Sequence, residues 1–330
     1  MKIDIFLTWC NGNDEKWQKK KASFATQLSG DAGIERYRNW DNLKYVFRGI
    51  EKNMPWINKV FFVTDGQIPE FLDLTNPKLE VINHTDYIPA DYLPTFNSNT
   101  IEMNAFRIET MSENFILFND DIFPMRYIPE EYFFRDNLVC DEAIERIIGA
   151  PHLNHAHCLL NNAWIINKYF DKIAVKKLFF KKWFYIGYGL KNIFRNVLFN
   201  YFHDFEALRN PHEPLGLKKS VMKNIWEKEP VMLDTGSRNK FRYMSDVTWY
   251  AVRYWQIFEG NFYPRLHKGK TYTVTEDNFK RISDEIRNRK YPLVCVDEKL
   301  GEPLRNFEEV KNCVNSALEE VFPEKSSFEL

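Results

Sequence analysis

The sequence predicts an α/β protein whose sheet is mostly parallel and carries helices on both faces. Three observations lead there. Short runs such as IDIFLTW (3–9), KVFFVT (59–64) and FILF (115–118) are apolar at successive positions, the mark of strands buried on both faces. Segments with a helical period fall between them, the alternation that a parallel sheet requires. Three of the strands run out into polar turns, Asn11-Gly12-Asn13-Asp14, Asp65-Gly66-Gln67 and Asn119-Asp120-Asp121. In such sheets ligands gather beyond the carboxyl ends of the strands. Asn, Asp and Gly are also ordinary turn formers, so one such turn alone carries little weight.

In chain order, IDIFLTW is a strand that ends in CNGND. Over 41–53, Leu43, Val46, Phe47 and Ile50 share one helical face, with Asp41 placed to cap it. KVFFVT and LEVIN (79–83) are the next strands. Asn99 and Glu102 have the spacing of a capping box, and the helix after them sets Ile101, Ala105, Ile108 and Met111 on one side. FILF follows as the fourth strand. From Ser245, a candidate cap, Val247, Ala251, Tyr254 and Phe258 recur on a helical face. PLVCV (292–296) is a strand leading to Asp297-Glu298. Phe307, Val310, Val314, Ala317, Leu318 and Val321 stripe a last helix. This is a Rossmann-like core. Residues 1–125 and 210–330 are its two halves, and 126–209 is a variable, mainly helical insertion.

The insertion has its own character. Residues 172–203 hold seven Lys or Arg, ten aromatics and no Asp or Glu. Basic aromatic helices of this kind fit a peripheral contact with an anionic membrane surface. They fit equally a helical subdomain with solvated lysines and core aromatics.

Composition narrows the classes. The 330 residues suffice for a substantial core. A net charge of -1 with 28% charged residues gives no basis for a nucleic-acid partner. Aromatics reach 16%, which suits a large core or a sugar-stacking surface. The cysteines, Cys10, Cys140, Cys158, Cys295 and Cys313, are odd in number and include no CxxC, so a disulfide framework is not expected and a reducing cytoplasm fits. No apolar run approaches the ~18 residues of a membrane span. The expected place is the cytoplasm, at the inner membrane face if residues 172–203 make contact.

Four separated regions carry a family likeness. They are IDIFLTWCNGND (3–14); Arg36 to Phe123, with RNWDNLKYVFRGIEKNMPWINKVFFVTDGQIP, LPTFNSNTIE and FILFNDDIF; NPHEP (210–214) with KFRYMSDV (240–247); and YPLVCVDE (291–298) with the closing PEKSSFEL. The chain resembles the Stealth family of sugar-phosphate transferases. These include bacterial capsular polysaccharide phosphotransferases and the catalytic core of the animal GlcNAc-1-phosphotransferase. The match covers about half the chain, in the family's order. Two departures stand out. Cys10-Asn11 interrupt the usual TWVDGSD, and Asp297-Glu298 replace the usual Asn-Asp pair.

The resemblance implies transfer of a sugar 1-phosphate from a nucleotide-diphosphate sugar to a hydroxyl of an oligosaccharide or lipid-linked glycan. Such chemistry is mainly positioning and charge stabilisation. Asp120, Asp121, Asp297 and Glu298 are then the candidate ligands of Mg²⁺ or Mn²⁺, which favour oxygen. His212 is the candidate base. Arg242 is the candidate fork on the phosphorus oxygens, with a salt bridge to Asp246 as its structural alternative. With Asp121, these two make up the catalytic set. Trp9, Asn11, Gly12, Asp14, Arg36, Arg48, Asp65, Gln67, Asn97, Ser98 and Glu102 are the donor-binding candidates; Arg36 and Arg48 could equally serve the fold, and Trp9 the core. His152, His155 and His157 look like a metal cluster but match no zinc signature, and are read as a loop near the acceptor or as structural. The competing functions are a metal-dependent glycosyltransferase and a non-catalytic glycan-binding module.

Overall fold

The computed structural model describes residues 1–25, 33, 36–149, 154–299 and 301–330. In chain order its elements are β1 (Ile3–Thr8), α1 (Glu15–Phe24), α2 (Leu43–Asn53), β2 (Val60–Thr64), β3 (Leu79–Asn83), α3 (His84–Tyr87), α4 (Ser98–Met103), β4 (Asn114–Asn119), β5 (Ile122–Pro124), β6 (Phe134–Arg135), β7 (Leu138–Asp141) and β8 (Glu145–Arg146). The chain continues with α5 (Asn154–Tyr169), α6 (Lys172–Leu178), α7 (Phe180–Trp183) and α8 (Leu190–Leu198). The chain closes with β9 (Ala207–Leu208), β10 (Leu215–Lys218), α9 (Lys219–Lys228), α10 (Pro230–Ser237), α11 (Tyr250–Phe258), β11 (Phe262–Pro264), β12 (Lys270–Val274), α12 (Phe279–Arg287), β13 (Leu293–Glu298) and α13 (Phe307–Val321).

The central sheet has five strands in the order β10-β4-β1-β2-β3. β1 pairs in parallel with both β2 and β4, and β2 with β3; β10 closes the β4 edge antiparallel. This is the mostly parallel α/β sheet the apolar runs predicted. Ile5, Phe6, Phe61, Phe62, Phe115 and Phe118 have no measurable exposure, and burying each such side chain contributes about 1.5–3 kcal/mol. The connection leaves β1 toward β2, while β4 lies on its other side. The crevice therefore opens between β1 and β4, with Thr8 level with Asn119.

Several sequence expectations change. Asp41 does not cap α2: it has φ +53, ion-pairs with Lys311, and Asn42 precedes the helix. The cap of α4 is Asn97, whose side chain accepts from the Asn99 backbone N–H, so Asn99 is not the cap. That helix stops at Met103 and passes into a 3₁₀ turn over Ala105–Arg107. Ser245 caps nothing, since α11 begins at Tyr250; its hydroxyl accepts from Asn239. PLVCV is a strand, but β13 lies outside the central sheet, in the order β12-β13-β5. Residues 126–209 are strand-bearing before they are helical: β7 pairs with β6 and with β11 from further along the chain.

Arg48 is 7% exposed on α2. Its Nε and Nη2 each lie 2.8 Å from a Glu329 oxygen, and Nη1 donates to the Phe322 carbonyl at 2.6 Å. Phe328 beside it is buried against Phe47. Of its two readings, donor ligand or part of the fold, Arg48 takes the second and clamps the closing PEKSSFEL segment. Arg48→Met leaves the Glu329 carboxylate buried and uncompensated, an expected loss of about 3 kcal/mol, measured by urea unfolding.

Candidate active site

The crevice at the β1/β4 switch is a cleft of about 420 Å³. Ten of the predicted residues line it: Trp9, Arg36, Ser98, Glu102, Asp120, Asp121, His212, Arg242, Asp297 and Glu298. They come from both halves of the chain. Asp120 and Asp121 occupy the two-residue turn between β4 and β5. Because β5 pairs antiparallel with β13, and Val296 N–H donates to the Asp121 carbonyl at 3.0 Å, that pairing carries Asp297 and Glu298 to the same rim.

His212 is delivered by a clamped loop. Arg253 Nη1 donates to the Arg209 carbonyl at 2.9 Å and to Asn210 Oδ1 at 2.8 Å. The Thr271 hydroxyl donates to the His212 carbonyl at 3.2 Å, and the Tyr132 hydroxyl to Glu213 at 3.0 Å. Arg253 is itself fixed by two 2.8 Å bonds to Asp141, which also meets His267 at 2.9 Å. The His212 imidazole then rests with Nε2 3.4 Å from Asp121 Oδ2. Partial desolvation by the cleft walls works against its charged form. The bond and charge of Asp121, then the charge of Asp297, outweigh this and raise it to about 8.

Arg242 enters from the opposite wall, its Nε 3.1 Å from Ser98 Oγ. The alternative partner, Asp246, accepts instead from Asn97, Asn99, Asn239 and the Tyr243 backbone. That network holds the loop before Arg242 against the start of α4. Asn97 thus braces the site from behind with no exposed surface.

The carboxylates of the cleft are short of positive charge. Burial, then the charge of Asp121, pushes Asp120 up to about 7. Burial pushes Glu102 up to about 7 against the opposing pull of Arg242 and His212. Asp297 is raised too, by burial and then by Asp121.

The profile of Stealth protein conserved region 2 matches residues 36–141, reaching past Phe123 to the end of β7. The capsular polysaccharide phosphotransferase WcwK of Streptococcus pneumoniae is 39% identical over 331 residues, 99% of this chain and 98% of its own. The chain belongs to the Stealth family. The exopolysaccharide phosphotransferase cps2G of Lactiplantibacillus plantarum is 33% identical over 99% of this Stealth chain and 96% of its own. The receptor polysaccharide phosphotransferase WefC of Streptococcus gordonii is 33% identical over 100% and 99%. This Stealth protein is therefore an enzyme that transfers a phosphate-containing group. No helix among its described residues is long and apolar enough to cross a membrane.

Trp9 apart, the remaining candidates of this Stealth protein lie outside the cleft's lining. Gln67 receives the Asn11 backbone N–H at 2.8 Å and donates to the Asn11 carbonyl and to Asp14. Asp14 caps α1. Gly12 packs so closely on residue 37 that a Cβ would lie 1.8 Å from the Tyr37 carbonyl oxygen. Asp65 ion-pairs with Lys20 at 2.7 Å. Trp9 both lines the cleft and packs on the core, 5.7 Å from Phe62.

The residues present fit a divalent cation. Asp121 Oδ1 and Asn119 Oδ1 are buried without a hydrogen-bond partner, and Asp120 and Asp297 add oxygens whose charge nothing adjacent fully balances. Glu298 also lines the cleft, but its carboxylate is already engaged there by Trp40 Nε1 at 3.2 Å and Arg38 at 3.3 Å. Cys295, which sequence reasoning passed over, sets its Sγ 3.3 Å from Asp121 Oδ2. Burial, then Asp121, keeps that thiol far above its ordinary value, so it donates as S–H. His155 lines the cleft, and the surrounding protein, then the charges of Arg242 and Arg36, hold it down at about 4. His157 lies two positions on along α5, turned away by the helical period. His152 falls outside the described residues.

Proposed function

We infer that this Stealth enzyme moves a sugar 1-phosphate from a nucleotide-diphosphate sugar to a hydroxyl of a growing capsular or exopolysaccharide glycan. The observation that carries the reading is the convergence of Arg242, His212 and Asp121 on one cleft at the sheet's switch point. The names of the relatives supply the polysaccharide. His212 takes the proton of the acceptor hydroxyl, and Asp121 stabilises the resulting imidazolium. The acceptor oxygen bonds to the sugar-proximal phosphorus as the bond to the nucleoside monophosphate breaks. Arg242 offers its planar fork to the phosphorus oxygens, where charge gathers.

Asp120, Asp121 and Asp297, with Asn119 beside them, would hold Mg²⁺ or Mn²⁺. That ion neutralises diphosphate charge when bound. Mg²⁺ in hundredfold excess over its dissociation constant is expected to stabilise the fold by about 2.7 kcal/mol, read as a rise in melting temperature. Asp121→Asn should flatten that rise; a full rise in the variant removes Asp121 from the ligand set.

The reaction is tested with donor labelled in its β-phosphate. The label should pass to the glycan as a phosphodiester while unlabelled nucleoside monophosphate is released. Label retained on a nucleoside diphosphate would make the enzyme a glycosyltransferase instead.

A further inference from the structure

The basic aromatic run resolves into two populations. Part of it is structural. Lys172 and Lys176 are nearly buried and meet Glu145, and Lys176 also donates to the Asn196 carbonyl. Lys182 donates to the Gly260 and Phe262 carbonyls. Trp183 and Tyr188 are core residues. Val175, Asn196 and Phe199 are buried with them, while most of the remaining apolar side chains of the run face water.

Helix α8 is inside out. Its buried residue is Asn196, whose amide joins the Ala143 and Trp183 carbonyls and accepts from the Glu145 backbone N–H. Its apolar residues recur at the helical period on the solvent side: Leu190 is 83% exposed, Phe194 63% and Leu198 55%. The same exposed population includes Leu178, Phe180 and Ile186, the last 81% exposed. A soluble surface does not gather so many large apolar side chains without an occupant.

We propose that the exposed apolar face of residues 178–198 docks on an anionic lipid bilayer. Charge selects this occupant. Lys177, Lys181, Lys191 and Arg195 lie among these residues, and 172–203 contain no carboxylate to oppose them. None of the four forms an ion pair among the described residues. An amphipathic helix with apolar side chains outward and cations at its flanks is the form that lies in a lipid interface. The cations stay at the phosphate headgroups while Leu190, Phe194 and Leu198 enter the acyl boundary.

The test is co-sedimentation of the full chain with vesicles of half phosphatidylglycerol and half phosphatidylcholine, against pure phosphatidylcholine. The protein should pellet with the anionic vesicles and be released by high salt. The triple variant Leu190→Ser, Phe194→Ser, Leu198→Ser should weaken binding at least tenfold. Each of Lys177→Glu, Lys181→Glu and Lys191→Glu should weaken it roughly fivefold, and these exposed changes serve if the serine variant fails to fold. None of these residues lines the cleft, so release of nucleoside monophosphate with a soluble acceptor should be unchanged. Equal pelleting with both vesicle types, or none with either, overturns the proposal. So does a dimer in sedimentation equilibrium that the serine variant dissociates while neither vesicle binds, which would make this face an interface between copies.

Discussion

His212→Ala is expected to slow transfer about 10²–10⁴-fold, the range for loss of a positioned base. Arg242→Ala is expected to slow it about 10²–10³-fold, the range for one lost contact to developing charge. Neither should move the melting temperature much. The His212 side chain is 40% exposed, and its loop is held by backbone and neighbouring groups that the substitution leaves intact. Arg242→Lys keeps the charge but loses the fork, so it should recover only part of the rate. The measurement is single-turnover release of nucleoside monophosphate, with circular dichroism to verify the fold. Wild-type rates in both alanine variants would remove these roles.

Arg253→Met should disrupt both the fold and the His212 loop. Arg253 has no exposure and binds Asp141 through two bonds of 2.8 Å. Removing it leaves the buried Asp141 carboxylate only His267 as a cationic partner, at a cost of about 3 kcal/mol, the low end of the range for a broken buried pair, and lowers the melting temperature by several degrees. It also releases the Arg209 carbonyl and Asn210, so the surviving folded fraction should show a slower rate through a misplaced His212. The cluster gives stability a pH dependence of definite sign. His267 faces Asp141, Glu213 and Arg265. Burial and Arg265 oppose its charge, but bonds to Asp141 and Glu213 raise it above its ordinary value. Its contribution is full below about pH 6.5 and fades as the pH rises through the folded value. Asp141 runs the other way. Burial is outweighed by Arg253 and His267, which hold it well below the usual carboxylate range. Its contribution is present above about pH 4 and is lost on acidification. Wild-type stability should fall on both sides of that window, and Arg253→Met should weaken the acid limb.

The sheet was legible because burial on both faces leaves uninterrupted apolar runs, as in FILF. The strand-end acids were legible because Asp120 and Asp121 follow that run directly. The caps at Asp41, Asn99 and Ser245 were misread because a side chain that fits a local cap was recruited by tertiary partners, Lys311 for Asp41 and Asn239 for Ser245. Cys295 left no signal, since a cysteine in an apolar strand reads as core. Only the β5–β13 pairing brings it to Asp121. Arg38 and Trp40 lie in the RNW stretch, yet nothing local links them to Glu298 more than 250 residues away. Arg48 was ambiguous for the same reason, because its partner closes the chain.

The antiparallel closure of β4 by β10 also sets a problem for biosynthesis. β4 leaves the ribosome with β1 and β2 already available, but the strand that seals its other edge follows only roughly a hundred residues later, about 5–20 s at ordinary elongation rates. During that interval FILF presents unpaired backbone to any other nascent chain. Fragments ending within the insertion should therefore aggregate, and high yield should depend on chaperones that shield this edge until Leu215–Lys218 arrives.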